Sequence, residues 1–368
     1  VFMIRLERSL LALGCLCLAQ AGLYAQTKVK RYDVTKETDY GIVYRLPQTK
    51  VQISIVVRER TYTPGVLSGY ADKYLSQKAT AEPTRTYEIT GSTLRILGEP
   101  DTTKLYFIAF DKKSTAPFVM LTDRGILYSI NGSMGSTEES SSHYLPPVQV
   151  LEQKAADRAL PSLPREYAQA GTKSKQAEIA ANYLYEVRES AMNILTGSVD
   201  NMPKDGESMR LVLDRLRTEE RRTQRLFLGD TTERVMTYAF IYDPTGEDAR
   251  DVVIARFSKL GGLVGRDDLS GAPVLLSLQA TERAEPLGEK EQRKKDKQLE
   301  GSVVYNLPGE ALLTLTYEGR KLTSEKLPLT QLGTQQALAP KMFSLTPAQP
   351  TAVYLDTRTG AILNIRQE

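Results

Sequence analysis

Between Lys50 and Val57 the chain alternates Val51, Ile53, Ile55 and Val57 with Gln52 and Ser54, and no other feature limits its fold as tightly. A period of two puts neighbouring side chains on opposite faces of an extended strand, so one face has to be buried while the other stays polar. Strand signals of this kind run from Tyr40 to Asn131. Thr93 to Leu97 and Leu105 to Phe110 flank the turn cluster Gly98-Glu99-Pro100-Asp101 and predict a hairpin. Phe118 to Leu121 and Ile126 to Ile130 flank Thr122-Asp123-Arg124-Gly125 and predict a second. Between the early strands, Leu67, Tyr70, Ala71, Tyr74 and Leu75 share one face of a short helix.

The middle of the chain changes period. From Lys175 to Leu195, Ile179, Tyr183, Val187, Ala191 and Ile194 recur at spacings of three and four, which predicts an amphipathic helix ending at Gly197. After the loop Ser198 to Gly206, Ser208 to Phe227 forms a second helix, so the pair is expected to be an antiparallel hairpin. Strands return at Val235 to Tyr242, Asp251 to Phe257 and Val274 to Leu278. Glu282 to Glu300 is charged and poor in apolar residues, and it is expected to be a solvated loop or linker.

The end of the chain echoes its beginning. Gly41-Ile42-Val43-Tyr44-Arg45-Leu46-Pro47 matches Ser302-Val303-Val304-Tyr305-Asn306-Leu307-Pro308, and Arg124-Gly125-Ile126-Leu127-Tyr128-Ser129-Ile130 matches Thr359-Gly360-Ala361-Ile362-Leu363-Asn364-Ile365. The landmarks are 84 residues apart in the first copy (41 to 125) and 58 in the second (302 to 360). The excess is about the length of Thr61 to Thr86, which points to two related β modules, the first with an insertion.

Arg5 and Arg8 precede an uncharged, mostly apolar run from Leu10 to Gly22, and Leu23-Tyr24-Ala25 ends in a small residue, the pattern of an export leader cleaved before Gln26. The run is too short to span a bilayer, and no longer apolar run follows it. Ala12-Leu13-Gly14-Cys15 also resembles a degraded lipoprotein box, in which Cys15 would be lipidated. Both cysteines, Cys15 and Cys17, lie inside the leader, so downstream of it thiolate zinc sites, a cysteine nucleophile and disulfides are excluded. The 48 Lys plus Arg against 45 Asp plus Glu give a formal net charge of +3, too balanced to draw the chain to nucleic acid.

Candidate chemistry is sparse. His143, the one histidine, follows Ser140 to Ser142, but no Gly-x-Ser-x-Gly elbow accompanies it, and its expected place is an exposed loop. Carboxylates come in several pairs, Asp267 with Asp268, Glu219 with Glu220 and Asp248 with Asp251, any of which could serve hydrolysis. Gly265 to Gly271 lacks the alternating ligands and closing Glu of a calcium loop and is expected to be a turn. Asn131-Gly132-Ser133 matches a glycosylation acceptor, although Asn-Gly equally favours a turn. Arg215, Arg217, Arg221, Arg222 and Arg225 form a basic run interleaved with Glu219 and Glu220, where pairs Arg215 with Glu219 and Arg217 with Glu220 are expected. This run is the candidate docking surface for an acidic partner.

The order of these landmarks resembles a family of uncharacterised exported Bacteroidetes proteins, domain of unknown function 4831. The residues that carry it are Gly41 to Pro47, Pro64-Gly65 with Tyr70-Ala71-Asp72-Lys73-Tyr74-Leu75, Gly125-Ile126-Leu127, Leu226-Phe227-Leu228-Gly229, Asp267 to Val274 and the closing β module. The resemblance implies an envelope location in a Gram-negative bacterium and transfers no catalytic or binding residue. The expectation is an α+β chain of two β-rich modules around a central helical hairpin. Its segments would be a leader at 1–25, an N-terminal β module at 26–150, the helical hairpin and strands at 151–282, a charged linker at 283–300 and a C-terminal β module at 301–368. Its expected role is a non-catalytic envelope protein that binds or scaffolds an envelope protein or glycan, without a cofactor, without a transmembrane segment and without nucleic acid. The alternative is a carboxylate-dependent hydrolase of envelope glycans or peptides.

Overall fold

The computed structural model describes residues 28–31, 41–109, 118–132, 159–199, 205–299, 302–338 and 351–367. The segment expected to be a leader, with Cys15 and Cys17, and His143 lie outside them. The strands are β1 (Lys28–Arg31), β2 (Gly41–Thr63), β3 (Thr84–Ala109), β4 (Val119–Leu121), β5 (Leu127–Ile130), β6 (Asp230–Tyr242), β7 (Ala249–Ser258), β8 (Gly262–Val264), β9 (Ala272–Glu282), β10 (Val303–Tyr317), β11 (Arg320–Leu338), β12 (Thr351–Leu355) and β13 (Ile362–Gln367). The helices are α1 (Ala71–Leu75), entered through a 3-10 turn at Ser68–Tyr70, then α2 (Arg165–Gln169), α3 (Lys173–Thr196), α4 (Gly206–Leu228) and α5 (Glu289–Leu299). With 50% strand and 26% helix among the described residues, the class is α+β and β-rich.

Three antiparallel sheets organise the strands, in the orders β1-β3-β2-β6, β11-β10-β9-β7-β8 and β13-β12-β5-β4. The alternation in β2 does what its period requires. Val51, Ile53, Ile55 and Val57, with Leu94 and Ile96 of β3, pack on Phe257 of β7, on Val274, Leu276 and Leu278 of β9 and on Ala311, Leu313 and Leu315 of β10. These side chains form the inner faces of a two-sheet sandwich, each fully buried aliphatic one contributing about 1.5–3 kcal/mol. Gln52 and Ser54 are buried as well, because β2 is a central strand flanked in register by Arg95 and Ile241 at Gln52.

A second core lies beyond a break in the same strands. Tyr44 and Leu46 of β2 and Tyr106 and Ile108 of β3 pack on Leu127 and Ile130 of β5, Val303 and Val304 of β10, and Val353 and Leu355 of β12. The Tyr44 phenol donates to the Val304 carbonyl (3.2 Å) and accepts from the Val304 amide (2.9 Å), while its ring stacks on Tyr106 at 5.6 Å. Burial pushes this phenol well above its usual pKa, so it stays protonated and able to donate. Buried Asn306 donates to the Pro47 (2.8 Å) and Thr359 (2.9 Å) carbonyls, and Thr49 and Thr330 exchange backbone-to-hydroxyl bonds at 2.9 and 3.2 Å. These bonds tie the first long hairpin to the second at the point where both bend.

Residues 93–109 do not form the expected hairpin. They belong to the single strand β3, and Gly98-Glu99-Pro100-Asp101 is a bend within it. Pro100 lies opposite Pro47, so neither strand loses a donor it could have used there. Asp101 closes the bulge by accepting from the Thr103 amide and hydroxyl at 2.9 and 2.6 Å. Gly98 serves close approach, since a Cβ there would sit 2.3 Å from the Thr357 carbonyl oxygen.

The helical hairpin forms where expected. Thr172 caps α3 through the Lys175 amide, Gly197 ends it with φ of 74°, and Asp205 caps α4 through the Ser208 amide at 2.7 Å. The buried face of α3 shares only Val187 with the predicted one: Ala177, Ala180, Ala181 and Leu184 face inward with it, while Ile179, Tyr183, Ala191 and Ile194 are only half-buried. The small alanines let Leu67, Ala71 and Phe227 approach closely, which a hydrophobicity pattern does not register. The charged segment expected as a linker contains helix α5. Its Glu, Lys, Gln and Arg residues are strong helix formers, Gln292 donates to Asp296 at 2.9 Å, Lys295 donates to the Thr334 hydroxyl, and Leu299 packs on the second core.

The two Tyr-x-Leu-Pro strands share their irregularities. From Arg45 to Pro47 β2 advances two residues while β3 advances five, Leu105 to Pro100; from Leu307 to Gly309 β10 advances two while β11 advances five, Thr334 to Leu329. The short hairpins agree too. Met120–Leu121 spans Ser129 to Leu127, and Tyr354–Leu355 spans Asn364 to Ile362. In each module the amide at the break donates to a left-handed glycine: Arg45 to the Gly125 carbonyl at 2.8 Å, Asn306 to the Gly360 carbonyl at 3.1 Å. The segment between β2 and β3 that carries α1 has no counterpart between β10 and β11, which a two-residue turn at Glu318 and Gly319 joins.

The Tyr44→Phe substitution keeps the ring and removes the bond partner of both Val304 groups. It is expected to lower unfolding free energy by about 1–3 kcal/mol, read from urea denaturation, and an unchanged midpoint would remove Tyr44 as the pin between modules.

Candidate functional site

Helix α4 divides its five candidate arginines into two groups. Arg215, Arg217 and Arg221 point outward, the first two with about two-thirds of their side chains exposed, at 68% and 64%. Arg222 and Arg225 turn inward. Arg222 lies 3.0 Å from Glu219, and Arg225 reaches Asp230 at 3.4 Å and the Ala159 carbonyl at 3.3 Å. Arg215 pairs with Glu219 at 3.6 Å as expected. Arg217 pairs with Asp214 at 3.7 Å instead of Glu220, because Glu220 is drawn 2.8 Å from Arg188 on the facing helix.

Glu219 is the hub of this helix pair. It is buried, and besides its arginines it accepts from the Ser162 amide at 2.8 Å, so it holds the segment before α2 against α4. Its sequence signal, a glutamate at spacing four from one arginine and three from another, does not distinguish it from an exposed pair. At the loop end of the hairpin, Met192 and Leu195 in the last two turns of α3 and Leu211 and Val212 in the first two of α4 are exposed. The outward arginines thus follow directly on an apolar tip along one helix.

The carboxylate pairs have separate duties. Asp267 is almost fully exposed beside Arg266, while Asp268 accepts from the Ser270 amide at 2.9 Å, and the Ser270 amide and hydroxyl hold its carboxyl below the usual range. Residues 265–271 make the expected turn between β8 and β9, shaped by Arg256, which donates to the Arg266 and Gly271 carbonyls at 2.9 and 3.2 Å. Asp248 and Asp251 line an open pocket of about 280 Å3 with Arg250, Ser277, Gln279 and Thr314. Asp248 accepts from the Ala280 amide and from Arg283, both at 3.1 Å, and Asp251 accepts from the Ser277 hydroxyl at 3.5 Å. Among the described residues no group of three or more His, Cys, Asp or Glu side chains converges on a metal position. Nor is any helix there long and apolar enough to cross a membrane. Asn131 works in the fold: its side chain accepts from the Phe118 amide at 3.0 Å and donates to the Thr351 carbonyl at 3.3 Å.

Glu219→Gln removes the charge opposite half-enclosed Arg222 and is expected to destabilise the protein by about 2–4 kcal/mol, with loss of helix signal on mild heating. Glu220→Gln, on the more exposed Arg188 pair, is expected to cost under about 1 kcal/mol. Equal effects would show that Glu219 is not the hub.

No curated protein and no solved structure matches the chain. One family does match, over residues 40–363, and its description is domain of unknown function. That stretch holds both Tyr-x-Leu-Pro strands, the helical hairpin and strands of all three sheets, so the chain belongs to the family Domain of unknown function (DUF4831).

Proposed function

We propose that this protein is an exported, non-catalytic component of a bacterial envelope that binds an acidic partner through its helical hairpin. The observation that carries this reading is the outward set Arg215, Arg217 and Arg221 beside the exposed Met192, Leu195, Leu211 and Val212. Cationic and apolar side chains side by side suit an interface in which charge orients and apolar burial holds. Export rests on the basic start and the apolar run from Leu10 to Gly22. Against catalysis stands the engagement of Glu219, Glu220, Asp248, Asp251 and Asp268 with fixed donors. A hydrolase remains the second reading because Asp248 and Asp251 share one pocket.

The test begins with cell fractionation, where the protein is expected in the envelope with Gln26 as its first residue by mass spectrometry. A photo-crosslinking residue placed at Arg221 should then capture an acidic envelope protein, and Arg215→Glu with Arg217→Glu should reduce that capture about tenfold or more. Capture of a glycan would reassign the partner. Release of soluble glycan or peptide by the purified protein, abolished by Asp251→Asn and untouched by the arginine changes, would replace this reading with the hydrolase.

A further inference from the structure

The shared irregularities place the hairpin β12–β13 on β4–β5, so Val353 corresponds to Val119 and Ile365 to Ile130. The two modules do not meet through equal surfaces. In the third sheet the first strand of one short hairpin, β12, pairs with the second strand of the other, β5, through Val353 with Ile130 and Tyr354 with Ser129. This contact runs head to tail. Such a contact leaves one unused surface of each kind at the two ends of the pair.

Burial follows that polarity. Where module one is covered by module two, Ile130 is 1% exposed; its counterpart Ile365 is 44% exposed. At the other end Ala352 is fully buried, while its counterpart Phe118 is 60% exposed. Leu363 on β13 is exposed too. Among the described residues β13 and β4 are the two edges of the third sheet, and each is without a strand neighbour of the kind the other is. An open edge with apolar flanks is a site for strand addition.

We propose that the protein associates head to tail with further copies of itself, β13 of one copy adding to β4 of the next, with Ile365 opposite the neighbour's Val119 and Asn364 opposite its Met120. The contact repeats the one already made inside the chain between β5 and β12. Being heterologous, it does not close at a dimer and yields rings or filaments. It is independent of the arginine face on α4, which lies on a different part of the fold.

The test uses the purified protein in sedimentation velocity over a concentration series, with Ile365→Lys at one end and Phe118→Lys at the other, both at exposed positions, and circular dichroism to verify that each variant folds. The wild type should show mass rising with concentration, and each variant alone should associate about tenfold more weakly or not at all. Mixing the two variants should give a one-to-one dimer, because the intact β13 of the Phe118→Lys chain meets the intact β4 of the Ile365→Lys chain. A wild type monomeric at all concentrations would overturn the proposal. So would a mixture that stays monomeric, or a dimer that either substitution leaves intact.

Discussion

Pro47 facing Pro100 is the constraint on which the rest of this structure depends. Two residues without amide hydrogens sit opposite each other in the longest ladder of the molecule, so the ladder breaks there at no cost in lost donors. The break turns both strands and lets one pair serve two cores. Val51 to Val57 face the sandwich on one side of it, and Tyr44 and Leu46 face the small sheet on the other. Asn306 and Thr330 then bind the freed groups of Pro47 and Thr49, which fastens the second module to the first at the same place. The equivalent Leu307-Pro308 step bends β10 in the same way.

Two continuous apolar cores share their strands, and a third, smaller one under the helical hairpin is made chiefly from alanines. The helical hairpin is attached where β2 ends and β6 begins, with Gly229 lying against Thr63 at the junction. Its charges are consumed largely by its own stability: Glu219, Glu220, Arg188 and Arg222 hold α3, α4 and the segment before α2 together. What it presents outward is a smaller set of arginines beside an apolar tip. The modular part is different in kind, since its exposed apolar residues sit at the two ends of a head-to-tail pair.

Much of this was readable beforehand where the signal was periodic. The alternation at 51–57, the helix from 173 to 196 with its terminal Gly197, and the turn at 122–125 all depend on spacing along one element. The failures share a cause. Gly98-Glu99-Pro100-Asp101 has the composition of a turn, and whether the chain reverses there depends on Pro47, more than fifty residues away. The inward face of α3 is decided by how closely α1 and α4 approach, which favours Ala180 and Ala181 over the larger Ile179 and Tyr183. Residues 289–299 looked like a linker for want of apolar side chains, yet Leu299 and Lys295 suffice to dock a good helix former.

By itself the sequence determined the class of most elements, the end of α3 at Gly197 and the matching pattern of the two Tyr-x-Leu-Pro strands, because these follow from periodicity and from residues whose backbone chemistry is local. Only the tertiary structure decided that the modules interlock instead of standing apart, that Glu219 is a buried hub while Glu220 is not, and that each module meets the other with a different face. Those properties are set by which surfaces meet across hundreds of residues, as Thr49 meets Thr330. Contacts of that range leave no spacing in the chain from which they could be read.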